Sequence, residues 1–153
     1  MERLSGDSIY IEIHKFMDAL DPEWRRQDWL KGFDAELSAM KSAIGPGSGG
    51  RVLDLSCGEG AQAIPLAMLG WEVTAIDINP DSLELAREHA RERGVRVDFR
   101  VGDMLVANPQ WAGAFDWVIS SRAVDHLTDD ESIARVLDNA YAALRPGGRF
   151  YLS

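Results

Sequence analysis

The sequence predicts a doubly wound α/β fold, a parallel sheet covered by helices on both faces. Two observations carry this expectation. From residue 51 onward, short apolar runs alternate with segments of helical periodicity, which is the pattern of repeated strand-helix units. The joins between them are marked by glycine, proline and capping residues, so each element has a local start or stop signal. A chain of 153 residues that is 46% hydrophobic suits one domain with a sizeable core.

The elements follow in order. Ile9, Ile13, Phe16 and Leu20 recur at helical spacing. Asp21-Pro22 then closes one helix and opens the next, Asp21 as N-cap and Pro22 at the first position. Trp29, Phe33, Leu37 and Met40 make the apolar stripe of that second helix. Residues 1–44 are thus expected to be two helices. The run Gly45-Pro46-Gly47-Ser48-Gly49-Gly50 reads as a flexible connection, leading into a core over 51–153.

Val52-Leu53-Asp54-Leu55 is a short buried strand. Ala61 to Leu69 is an apolar helix closed by Gly70, with Pro65 near enough to its start to be tolerated. Trp71 to Ile78 is the second strand. Asn79-Pro80 caps a helix that runs to Arg93, and Gly94 stops it. Val95 to Val101 and Phe115 to Ser120 are the third and fourth strands. Thr128-Asp129-Asp130-Glu131 is a capping box. It opens a helix with Ile133, Val136, Leu137, Ala140, Tyr141 and Leu144 on one face. Pro146-Gly147-Gly148 turns the chain into a fifth strand, Arg149 to Leu152.

Charge and composition narrow the function. The formal net charge is -9, so a phosphate backbone is repelled unless a basic patch overrides the field. Arg87, Arg91, Arg93 and Arg96 are interleaved with Glu84, Glu88 and Glu92, the spacing of a solvated, ion-paired helix face. The single cysteine, Cys57, allows no internal disulfide, and His14, His89 and His126 are too widely spaced for a zinc site. No stretch reads as a membrane span or signal peptide. The expectation is a cytoplasmic protein with a small-molecule ligand, no metal, and neither nucleic acid nor membrane as partner.

In a doubly wound sheet the ligand site lies at the carboxyl ends of the strands. The first strand ends in Asp54-Leu55-Ser56-Cys57-Gly58-Glu59-Gly60, where Gly58 and Gly60 allow a sharp turn close to a ligand. The next helix then aims its amides at the same place. Asp77, nineteen residues after Gly58, ends the second strand; a carboxylate there can accept from both ribose hydroxyls of an adenosine. Gly102-Asp103-Met104 follows the third strand, offering an acceptor for an adenine amino group and an apolar side chain for its ring. Ser120-Ser121-Arg122 follows the fourth. Cys57 next to a helix N-terminus has a setting that can lower a thiol pKa, although a small buried residue is the simpler expectation.

The segments VLDLSCGEG, AIDINP, VGDM, FDWVIS and LRPGGRFYLS, taken in order, resemble the class I S-adenosylmethionine-dependent methyltransferases over residues 51–153. The resemblance implies a Rossmann-like sheet of strand order 3-2-1-4-5 with an N-terminal helical lid. Asp54, Ser56, Cys57, Gly58 and Gly60 would surround the methionine moiety of S-adenosyl-L-methionine. Asp77 would hold the ribose with Ile78 beside the adenine, Asp103 and Met104 would fix the adenine, and Ser120 would lie below the methionine portion. One departure is visible: Ser56 stands where the family's first loop glycine falls, which permits the turn only at negative φ. A finer resemblance, through SCGEGAQAIPLAMLGWEV, is to bacterial glycine/sarcosine N-methyltransferase-type proteins. It implies an amine acceptor, with Tyr10, Trp24 or Arg26 of the lid approaching cofactor or substrate.

Methyl transfer is an in-line displacement, so alignment supplies much of the rate. Asp125 and His126, after the fourth strand, are the candidates for orienting the acceptor. Two other readings stand beside this one. Gly58 to Ala63 formally fits G-x-G-x-x-A of an NAD-dependent oxidoreductase, although Asp54 and Ser56 intervene before the glycines. The family also normally continues with sixth and seventh strands beyond the position of Ser153. Missing sequence is the expected reason for their absence; a chain that really ended there would be a cofactor-binding module without catalysis, with an open sheet edge able to form a homodimer.

Overall fold

The computed structural model describes residues 34–153. Tyr10, Trp24 and Arg26 of the expected lid lie outside the described residues. The chain runs α1 (Asp34–Ile44), β1 (Arg51–Asp54), α2 (Ala63–Met68), β2 (Glu72–Asp77), α3 (Pro80–Glu92), β3 (Asp98–Val101), β4 (Phe115–Ser120), α4 (Asp130–Ala143) and β5 (Leu144–Leu152). Short 3₁₀ turns cover Pro109–Trp111 and Val124–His126.

The five strands lie in the order β3-β2-β1-β4-β5, all pairings parallel, in agreement with the expected fold. β1 is central: Asp54 sits between Ala75 of β2 and Ile119 of β4. Alternation along the strands sends side chains to two core layers. On one face Val52, Val73, Ala75 and Ile119 join Leu37, Met40 and Ile44 of α1, Ile64 and Leu66 of α2, and Leu83, Ala86 and Ala90 of α3. On the other, Leu53, Ile76, Phe115 and Val118 join Val136, Ala140 and Ala143 of α4. The described part of the N-terminal region thus packs onto the core through Leu37 and Met40. No helix among the described residues is long and apolar enough to cross a membrane.

Several boundaries differ from expectation, each for a physical reason. α2 begins at Ala63 rather than Ala61, because Gly58 and Gly60 have φ of 51° and 91° and the intervening residues wind as turns. β3 loses its first residues because Val95 N–H turns back to Ala90 O at 3.1 Å and finishes α3. The N-cap of α4 is Asp129, not Thr128: its carboxylate accepts from Ser132 N at 2.7 Å and Ser132 Oγ at 2.9 Å, which outcompetes the Thr128–Glu131 box. On α4 only Val136, Ala140 and Ala143 are buried, whereas Leu137 and Tyr141 are exposed; one helix covers that face and buries only its inward stripe. Pro146-Gly147-Gly148 does not precede β5 but bulges within it, between the Phe115–Leu144 and Trp117–Arg149 pairs. Asp116 holds that bulge, accepting from Arg51 N at 2.7 Å and from Arg145 Nε; these contacts keep its carboxyl below the usual range. Arg87 leaves the expected ion-paired face to donate to Phe99 O at 3.0 Å.

The glycine-rich connection is pinned. Gly47 N–H donates to Leu69 O at 2.9 Å, and Trp71 Nε1 donates to Gly45 O at 2.9 Å. A Cβ on Gly50 would lie 2.4 Å from Trp71 Cζ3, so the glycine makes room for the indole. Gly50→Ala is therefore expected to cost about 1–3 kcal/mol through forced displacement of the ring. Calorimetry should show Tm lowered by roughly 2–10 °C, with Ser48→Ala as a neutral control.

Candidate active site

The carboxyl ends of β1, β2 and β4 bring together the polar residues that the strand pattern singled out. Asp54, at the tip of β1, is almost wholly buried. Its Oδ1 accepts from Ser56 N at 3.2 Å, while Oδ2 has no partner among the described residues. Burial, opposed by the Ser56 amide and reinforced by the negative charge of Asp77, pushes its carboxyl up to about 7. Ser56 Oγ and Ser120 Oγ, the latter at the tip of β4, are also buried without partners among the described residues. Ser56 keeps a negative φ, since Arg122 is the only non-glycine residue in the left-handed region among the described residues. The turn therefore forms despite the missing glycine.

Asp77 at the tip of β2 fixes the loop from the other side. Its Oδ2 accepts from Gly58 N at 2.8 Å, and its Oδ1 from Asn79 N at 2.9 Å. Asn79 in turn caps α3 by accepting from Asp81 N at 3.0 Å, as its sequence position predicts. A Cβ on Gly60 would meet Ile64 Cδ1 at 2.8 Å and displace it, but it is the φ of 91° that calls for glycine there. The amide arrangement differs from the expected helix end: Gly60 N–H is spent on Cys57 O and Ile64 N–H on Gly60 O, inside the turn. Cys57 is buried, and that burial, with Asp54 and Asp77 nearby, raises its thiol well above the usual range. The thiol stays protonated, which corrects the thought of a lowered pKa and leaves no nucleophile there.

The remaining candidates are placed as follows. Ile78 is half-buried just beyond Asp77, and Asp103 is half-buried after β3, its Oδ1 accepting from Leu105 N at 2.8 Å. Met104 is buried in the core layer that contains Ile76 and Leu53, with its carbonyl held by Asn139 Nδ2 at 2.8 Å. Asp125 and His126 are exposed on the 3₁₀ turn after β4. Two residues escaped the sequence reading. Gln62 Nε2 donates to Ser121 Oγ at 3.2 Å in a buried pair, and buried His89 of α3 reaches Glu59 O through Nδ1 at 3.3 Å, which requires the Nδ1–H tautomer. The two contacts tie the 57–62 loop to Ser121 after β4 and to α3, and nothing in the local sequence spacing announces that.

Partnerless buried oxygens are costly, so their concentration at one sheet edge marks a place for donor groups of a ligand. S-adenosyl-L-methionine brings an ammonium, ribose hydroxyls and an adenine amino group, and the acceptors present fit it. Comparison with known proteins bears on the same region. A family model described as methyltransferase domain matches residues 52–148. The chain belongs to that family. A ubiquinone biosynthesis O-methyltransferase of Xanthomonas axonopodis pv. citri (strain 306) is 40% identical over 146 residues, covering 93% of this chain and 59% of the relative. A solved structure from Pyrococcus horikoshii OT3 superposes with TM-score 0.71 at 28% identity, over 82% of this chain and 57% of that one. A glycopeptide N-methyltransferase complexed with S-adenosyl-L-methionine superposes with TM-score 0.63 at 28% identity, over 76% and 52%. The methyltransferase core is thus of the class I, S-adenosylmethionine-dependent kind that its motifs resemble, and the oxidoreductase reading is not favoured. The chain spans between 52% and 59% of the length of these three proteins.

Proposed function

We propose that this methyltransferase transfers the methyl group of S-adenosyl-L-methionine to a hydroxyl oxygen of a small acceptor, leaving S-adenosyl-L-homocysteine. The observation that carries the cofactor assignment is the set of partnerless buried atoms, Asp54 Oδ2, Ser56 Oγ and Ser120 Oγ, at adjoining strand tips. In this reading Asp54, Ser56, Cys57, Gly58, Gly60 and Ser120 hold the methionine portion, Asp77 and Ile78 the ribose and its adenine side, and Asp103 and Met104 the adenine. Oxygen is preferred over the amine acceptor of a glycine/sarcosine-type enzyme because the curated relative at 40% identity is an O-methyltransferase.

The bound sulfonium supplies an already activated methyl carbon. The chain's task is to hold and align rather than to form a covalent intermediate. Asp125 and His126, exposed at the carboxyl edge beyond β4, orient the acceptor hydroxyl and receive its proton. Replacing His126 by alanine is expected to lower turnover about 100-fold, the low end of acid-base contributions, with affinity for S-adenosyl-L-homocysteine unchanged. Equal turnover removes His126 from the mechanism. Titration calorimetry with S-adenosyl-L-homocysteine and with NADH tests the cofactor assignment: heat from the first and none from the second is expected, and the reverse overturns it. Product mass after incubation with catechol or with sarcosine then separates oxygen from nitrogen.

The same reading includes a cytoplasmic setting, no nucleic-acid partner, and a homodimer formed through the β5 edge of the sheet. Sedimentation equilibrium should give a dimer, and a monomer at all concentrations removes that part.

A further inference from the structure

Asp54 is an unusual place to keep a carboxyl group. It lies at the end of the central strand, 1% exposed; among the described residues Oδ2 has no partner and Oδ1 has the one backbone amide of Ser56. Among the described residues the charged group acting on it is Asp77 of β2, and that repels a negative charge. From the adjoining loop Cys57 presents a protonated thiol, and Arg87 of α3 acts on that thiol. Two further orphan oxygens, Ser56 Oγ and Ser120 Oγ, stand at the same sheet edge. A carboxylate so placed is expensive until a cation arrives.

We infer that Asp54 selects for the charge of the ligand: its carboxyl gives its proton to solvent when a cationic centre enters at the tips of β1 and β4, and takes a proton back when that centre leaves. The inference rests on the proposed cofactor but goes beyond it, because it makes cofactor exchange a proton-coupled event. The cationic centre is an ammonium or a sulfonium, and the two are separable by ligand. S-adenosyl-L-methionine carries both, S-adenosyl-L-homocysteine only the ammonium, and 5′-methylthioadenosine neither. Because burial holds the carboxyl up to about 7, a cation that fully ionises it should displace most of a proton per site at pH 6 and only a small part of one at pH 8.

The test is titration calorimetry of the whole chain at both pH values, in two buffers of different ionisation enthalpy. Buffer-dependent heat at pH 6 that fades at pH 8 is expected with S-adenosyl-L-methionine. The same release with S-adenosyl-L-homocysteine assigns the ammonium, and its absence there assigns the sulfonium. Asp54→Asn should abolish the buffer dependence. If that variant does not bind, the wild-type affinity profile decides, rising up to about tenfold per pH unit from pH 5 to pH 7 and levelling above it. Binding without buffer dependence at pH 6, equal release with 5′-methylthioadenosine, or undiminished release in a binding Asp54→Asn variant overturns the inference while leaving the cofactor assignment standing. Failure of all three ligands to bind overturns both.

Discussion

Asp54→Asn is expected to make the ligand-free protein more stable at pH 8, by about 1–3 kcal/mol, while weakening its grip on a cationic ligand. The folded chain holds the Asp54 proton up to about pH 7, whereas an ordinary aspartate releases it near 3.8. Between those values the unfolded chain binds fewer protons than the folded one, so stability falls as pH rises and the loss is complete above about pH 7. A shift of that size corresponds to at most about 4 kcal/mol. The asparagine amide returns some of it, since its own buried N–H groups need acceptors that the native site does not supply to Asp54 Oδ2. The net gain should raise Tm by roughly 3–10 °C at pH 8 and reverse to a small loss near pH 4, where the folded chain keeps the Asp54 proton at little cost but the amide's unmet N–H groups remain. A denaturant series across pH checks it; a variant less stable than wild type at pH 8 shows that Asp54 is satisfied in the folded chain.

That trade of stability for function lies at a position whose role was legible in the sequence, whereas its energetics were not. The tips of β1 and β2 could be read from the chain because strand, glycine turn and carboxylate follow one another locally, as in Asp54 to Gly60. Asn79-Pro80 was legible for the same reason: an N-cap is a short-range device, and Asn79 accepts from Asp81 N as expected. What failed depended on distant partners. Gly45 to Gly50 looks like a free connection until Trp71 is seen occupying the space beside Gly47 and Gly50. Tyr141 fits the apolar stripe of α4 by spacing but is 82% exposed, because periodicity cannot report how wide a surface the sheet offers. His89 and Gln62 were invisible as site residues, since their partners Glu59 and Ser121 lie 30 and 59 residues away in sequence. That Ser56 Oγ and Ser120 Oγ have no partner among the described residues depends on every neighbour the fold brings near them, which no local pattern in the chain encodes.

Asp77→Asn should have the largest effect on ligand affinity, because Asp77 prepares the loop before any ligand arrives. Each carboxylate oxygen already accepts one backbone N–H, from Gly58 at 2.8 Å and from Asn79 at 2.9 Å. An asparagine keeps one acceptor and turns a donor towards the other amide, so one charge-assisted bond is lost and replaced by an N–H to N–H clash. Loss of such a bond costs about 1.5–3 kcal/mol. If it is lost at Gly58, the turn that brings Gly58 and Gly60 to the site relaxes and the ligand must pay to reorder it. Together with the missing acceptor for a ribose hydroxyl, the expected loss of S-adenosyl-L-homocysteine affinity is about 100-fold or more, measured by calorimetry. Removing the Asp77 charge also removes one of the causes that raise the Asp54 carboxyl, so Asp54 should ionise at lower pH in this variant. Proton release on binding at pH 6 should then fall even though Asp54 itself is intact. The two carboxyl groups therefore predict each other's behaviour: unchanged proton release in a folded Asp77→Asn protein that still binds would mean that burial alone sets the Asp54 proton, with β1 and β2 acting as independent tips rather than one electrostatic unit.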